Sequence, residues 1–138
     1  MRTAMLALIL GLPVVAIGNA VVFGLELGRF LASTPRLAST RDLEDFKRVV
    51  ARQMYAALAQ IVLLALPPVL FGVGLATGVL GPDDVLTIVI PAAAVILVAA
   101  FFKRHEHTAK NLPATDPELE RARDAIVRTW HKRPVPDW

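Results

Sequence analysis

Residues 53–82 read QMYAALAQIVLLALPPVLFGVGLATGVLGP, 30 consecutive positions without a charged side chain. At about 1.5 Å of helical rise per residue such a run reaches about 45 Å, more than the roughly 30 Å hydrocarbon core of a bilayer. Two further charge-free runs flank it, Thr3–Leu25 with 23 residues and Val85–Phe102 with 18. Lipid offers no hydrogen-bond partner to exposed peptide groups, so each run must satisfy its own backbone as a helix. The fold predicted is an all-α integral membrane protein with three transmembrane helices, spanning about 3–25, 53–80 and 85–102.

The remaining composition fits this frame. The chain has 138 residues, 55% of them hydrophobic, and a formal net charge of +3. The expected organisation is a three-helix transmembrane domain over 1–110, with a cytoplasmic loop at 26–52, followed by an amphipathic cytoplasmic tail over 111–138. The absence of cysteine removes disulfide, zinc-thiolate, iron-sulfur and thiol-nucleophile chemistry. The basic residues have a topological explanation beside membrane helices, so no nucleic-acid partner is inferred from them. Arginine outnumbers lysine and alanine is abundant, a composition associated with GC-rich bacterial genomes.

Charge asymmetry sets the expected orientation. Arg29, Arg36, Arg41, Lys47, Arg48 and Arg52 lie in the first loop and Lys103, Arg104 and Lys110 follow the third run, whereas the link Gly81-Pro82-Asp83-Asp84 has no basic residue. The positive-inside rule then places the N-terminus and the acidic link outside, and the first loop and C-terminal tail in the cytoplasm of a bacterial inner membrane. A cleaved leader ending near Ala16–Ala20 would reverse the loop, against this bias, and the apolar run continues past any such site through Leu25.

Each run contains proline: Pro13, the pair Pro67-Pro68, and Pro91. A proline frees a carbonyl one turn earlier, and Pro68 disfavours helical backbone at Pro67, so a kink or break is expected at Pro67 and Pro68. Small residues recur every four positions in the first run, at Ala16, Ala20, Gly24, Gly28 and Ala32, and again at Gly74 and Gly78. Such spacing lets helices approach closely, so these positions are expected to pack helix against helix.

The intramembrane polar residues are few. Asn19 and Glu26 are seven apart and share a helix face; Arg29, three residues on, is the local partner expected for Glu26. Asn19 and Gln60 fall at a similar depth, roughly 10 Å from the cytoplasmic edge, and are expected to hydrogen-bond. His105-Glu106-His107 is the one cluster with metal-ligand character, but its spacing is not that of a helical zinc site and no third ligand is evident, so no metal or other cofactor is assigned. No nucleophile elbow or phosphate-binding glycine loop occurs, and no catalytic residue is assigned.

Both cytoplasmic segments carry amphipathic helices. Ser39 and Asp42 resemble a capping pair ahead of Leu43, Phe46 and Val50 on one face. Thr115-Asp116-Pro117-Glu118 combines a cap, a first-turn proline and an acid, after which Leu119, Ile126 and Trp130 recur on one face. A lone helix of this length is marginal in water, so this stripe is expected to dock on the first-loop helix, the membrane or a partner. The function expected is that of an accessory, assembly or scaffolding subunit of a larger membrane complex, with other membrane subunits or further copies of itself as partners. The alternative is a homo-oligomeric channel or small transporter using the proline-broken second helix, which a polar lining of Asn19, Gln60 and Thr77 from several copies would mark.

Overall fold

The computed structural model describes residues 1–138 and is all-helical: α1 Arg2–Ser33, α2 Thr40–Ala76, a 3-10 turn Pro82–Val85, α3 Leu86–Lys110 and α4 Pro117–Lys132. Three stretches, Arg2–Ser33, Thr40–Ala76 and Pro82–Lys110, are long and apolar enough to cross a membrane. Only 17%, 17% and 6% of their most apolar windows are buried, so most of that apolar surface faces outward. At 37 residues α2 is about 55 Å long and exceeds a bilayer core.

The helix α2 runs without interruption through Pro67 and Pro68, and the expected break is absent. The two rings remove two N–H donors, but the φ near −65° that they impose is itself helical, and membrane helices tolerate such gaps. Pro13 and Pro91 likewise lie inside α1 and α3.

Packing divides the chain into two compact units: Met1–Val21 with Ala59–Phe101, and Val22–Leu58 with Phe102–Trp138. Each of the three long helices therefore contributes to both. In the first unit a small core of Ile9, Phe71 and Leu80 is flanked by Met5, Leu6, Leu70 and Ile88. The exit from α2 explains how Leu80 reaches this core. Gly78 has φ +70°, the left-handed conformation that glycine adopts without a Cβ penalty. The Val79 N–H donates to the Gly74 carbonyl at 2.9 Å and the Gly78 N–H to Leu75 at 3.1 Å, the paired bonds of a Schellman helix end. Gly78 thus terminates α2 and does not extend its packing face: the four-residue spacing from Gly74 coincides with a C-terminal stop.

Beyond this stop the link is fastened by Asp84. Its carboxylate accepts the Gly81 N–H at 3.0 Å and a bond from Arg2 Nη2 at 2.9 Å. The backbone donor first, and the guanidinium second, hold this carboxyl below the usual carboxylate range.

The second unit has a larger core, built from Leu27, Leu37, Phe46, Val50, Met54, Ala109, Leu112 and Ile126. Local signals set its helices. The Asp42 N–H donates to Ser39 Oγ at 3.2 Å, and Asp42 returns by accepting the Ala38 N–H at 3.0 Å, which fixes the start of α2. At α4 the Asp116 carboxylate accepts the N–H groups of Glu118 at 2.7 Å and Leu119 at 3.0 Å, with Pro117 in the first turn. The two connecting loops are clamped together: the Leu37 N–H donates to Pro113 at 2.8 Å and the Thr115 N–H to Leu37 at 3.0 Å. Arg123 closes the α3–α4 loop by donating to the Leu112 carbonyl at 2.7 Å.

Candidate functional site

The expected tail stripe is covered by this chain itself. Ile126 belongs to the core with Phe46, Val50 and Leu112, and Leu119 is also buried. Trp130 packs at the edge of the core, with the Lys110 ammonium 5.0 Å from its ring centroid. Of the three covers open to the sequence, the first-loop helix is the one realised, joined by the ends of α1 and α3. Trp138 lies outside this core and is exposed.

The small-residue face of α1 is also occupied. A Cβ on Gly24 would stand 2.3 Å from the Phe102 ring, and one on Gly28 would stand 3.1 Å from His105. Gly74 makes the corresponding room in the first unit, for Leu80 at 2.6 Å and Met5 at 3.0 Å. Ala16 is fully buried and Ala20 half-buried. Gly11 and Gly18 have open space instead.

Two of the polar groups in the apolar stretches, Asn19 and Gln60, pair with each other, although Gln60 Nε2 is buried without a partner. Asn19 Nδ2 donates to Gln60 Oε1 at 2.8 Å, joining α1 to α2 within the first unit as their common depth predicts. Thr77 returns its hydroxyl to the carbonyl of Val73 at 2.9 Å. His105 and His107 both lie on α3, two positions apart, and no group of three or more His, Cys, Asp or Glu side chains gathers to hold a metal ion. The His105 ring packs against Phe102, with centroids 5.8 Å apart.

Glu26 departs from its expected partner. Its carboxylate accepts from Arg52 Nη1 on α2 at 2.5 Å, and Arg29 makes no bond to it. Nearby, Gln53 Nε2 donates to the Phe23 carbonyl at 2.7 Å, a second tie between α1 and α2 within this unit. Between these ties opens a shallow groove of about 550 Å³, lined by Val22, Phe23, Glu26, Arg29 and Arg52. Arg52 entered the sequence reading only as one of the basic residues of the first loop, and neither its pairing with Glu26 nor the bond of Gln53 to Phe23 had a signal there.

Fold and site together define a helical protein with three helices able to cross a membrane and a packed unit built from its loop and tail. No protein-family model, curated protein or solved structure matches the chain.

Proposed function

We propose that this chain is a multi-pass protein of a bacterial inner membrane that acts through contacts, as an accessory, assembly or scaffolding subunit of a larger membrane complex. One observation carries the reading. Large apolar side chains such as Leu8, Val14, Ile61, Val69 and Leu97 stand exposed along helices long enough to cross a bilayer, and that surface needs lipid or other helices to cover it. The intramembrane amides Asn19 and Gln60 are bonded to each other, which leaves little polar lining for a substrate path. Purification in mild detergent with mass spectrometry of the co-purifying material tests this. Stoichiometric foreign subunits are expected; a ring of identical chains alone would favour the channel reading and refute this one.

In the proposed orientation the N-terminus and the Gly81–Asp84 link are outside and the second unit is cytoplasmic. Support comes from nine basic residues of the second unit that flank the apolar stretches, Arg29, Arg36, Arg41, Lys47, Arg48, Arg52, Lys103, Arg104 and Lys110, against the acidic pair Asp83-Asp84 in the link. With no native cysteine, Asp83→Cys and Lys132→Cys should react with an impermeant thiol reagent from opposite faces. Labelling from the same face would overturn the orientation.

A further inference from the structure

We infer that the groove between α1 and α2 at Arg29 and Arg52 binds the phosphodiester of an anionic phospholipid; the inference rests on the membrane placement proposed above. Its position along the helices is the first reason. The charge-free run of α1 ends at Leu25 and that of α2 begins at Gln53, so Glu26 and Arg52 mark the level at which both helices turn from apolar to charged. In a bilayer this is the headgroup level. The lining changes character at that same level: Val22, exposed, and Phe23 offer an apolar wall, and the guanidinium groups of Arg29 and Arg52 lie beyond it.

Charge and donor inventory identify the ligand. Arg52 directs one N–H at Glu26, out of the five that a guanidinium carries. Arg29 is exposed and has no acceptor within the chain. Two guanidinium groups against one carboxylate leave a single positive charge, which one phosphodiester neutralises. The planar fork of arginine fits phosphate oxygens in pairs. A zwitterionic headgroup would bring its own ammonium beside these cations and gain less. The groove is also built in advance: the Glu26–Arg52 ion pair and the Gln53–Phe23 bond fix the spacing of its walls without using Arg29.

The test uses the full chain, purified in detergent and offered equal amounts of phosphatidylglycerol and phosphatidylcholine, with bound lipid counted by native mass spectrometry. Preferential retention of phosphatidylglycerol is expected. Arg29→Gln should lower it about fivefold, the equivalent of about 1 kcal/mol for one basic residue at an anionic surface, and Arg29→Lys should lower it less. Because Arg29 bonds to nothing within the chain, these variants leave the fold intact. Equal retention of the two lipids, or undiminished retention in Arg29→Gln, would overturn the inference. Displacement of the lipid by excess inorganic phosphate would overturn it too, in favour of a soluble anion. Alkaline extraction of native membranes separates the two levels: a chain that stays in the pellet yet shows no lipid preference refutes the groove alone, whereas release into the supernatant refutes the membrane placement and the groove with it.

Discussion

Replacing Phe46 with alanine should detach α4 from the second unit while leaving the apolar helices assembled. Phe46 is fully buried, and its ring stacks on Phe30 with centroids 6.0 Å apart. Burying a large apolar side chain is worth about 1.5–3 kcal/mol, and an aromatic pair adds about 0.5–1.5. With the cavity left behind, Phe→Ala in a packed core costs about 3–5 kcal/mol. That is a large part of the total stability of an ordinary domain, about 5–15 kcal/mol. The 16 residues of α4 are too few to hold a helix alone in water, so release from Phe46 and its neighbours melts it. Hydrogen exchange of the full chain in detergent should therefore show α4 amides exchanging faster by about two to three and a half orders of magnitude, following 1.36 kcal/mol per factor of ten. Amides in the apolar part of α1 should keep their protection. Tyr55→Ala, at a side chain 57% exposed, serves as the control and should leave α4 unchanged. Undisturbed protection of α4 in Phe46→Ala would refute the view that this core holds the tail.

Three further expectations follow from the same geometry. Gly24→Ala drives a Cβ to 2.3 Å from Phe102 and should destabilise the chain by about 1–3 kcal/mol in detergent unfolding, whereas Gly18→Ala, facing open space, should be close to neutral. Asn19→Leu removes the bond to Gln60, and a double-mutant cycle with Gln60→Leu should return a coupling of about 0.6 kcal/mol, the average for such bonds in membranes; a coupling of zero would show that the two amides act separately. The lowered pKa of Asp84 means that its fastening is complete above the usual carboxylate pKa of 3.8 and is lost as pH falls through the lowered folded value. Exchange of the Gly81 amide should accelerate only below that range, and Asp84→Asn should abolish the acid dependence.

The parts of this structure that were legible in the sequence are those fixed by local chemistry. A charge-free run must be helical in lipid, and Ser39 and Asp116 cap helices through donors two or three positions away. Asn19 and Gln60 could be matched because two helices of constant rise place residues at calculable depths. What escaped was decided by tertiary geometry or by backbone conformation. Glu26 had a local candidate in Arg29, but its partner Arg52 lies 26 positions on, and only the packing of α1 against α2 selects it. Gly78 kept the spacing of a packing motif, yet one positive φ turned it into a helix stop. The prolines at 67 and 68 carry every local sign of a break, and α2 passes through them because the neighbouring turns of a long helix outweigh two missing donors.

The clamp between Leu37 and Thr115 also governs when the second unit can form. These residues are 78 positions apart, with two long apolar helices' worth of chain between them. At about 5–20 residues synthesised per second, the apolar face of Leu43, Phe46 and Val50 is made about 3–14 s before Leu112, the first of the later residues that cover it. During that interval the nascent chain carries an uncovered hydrophobic stripe on an otherwise basic segment. A chain interrupted anywhere before residue 112 keeps that stripe open for good, and so presents chaperones and proteases with a mark of incompleteness that the finished protein hides.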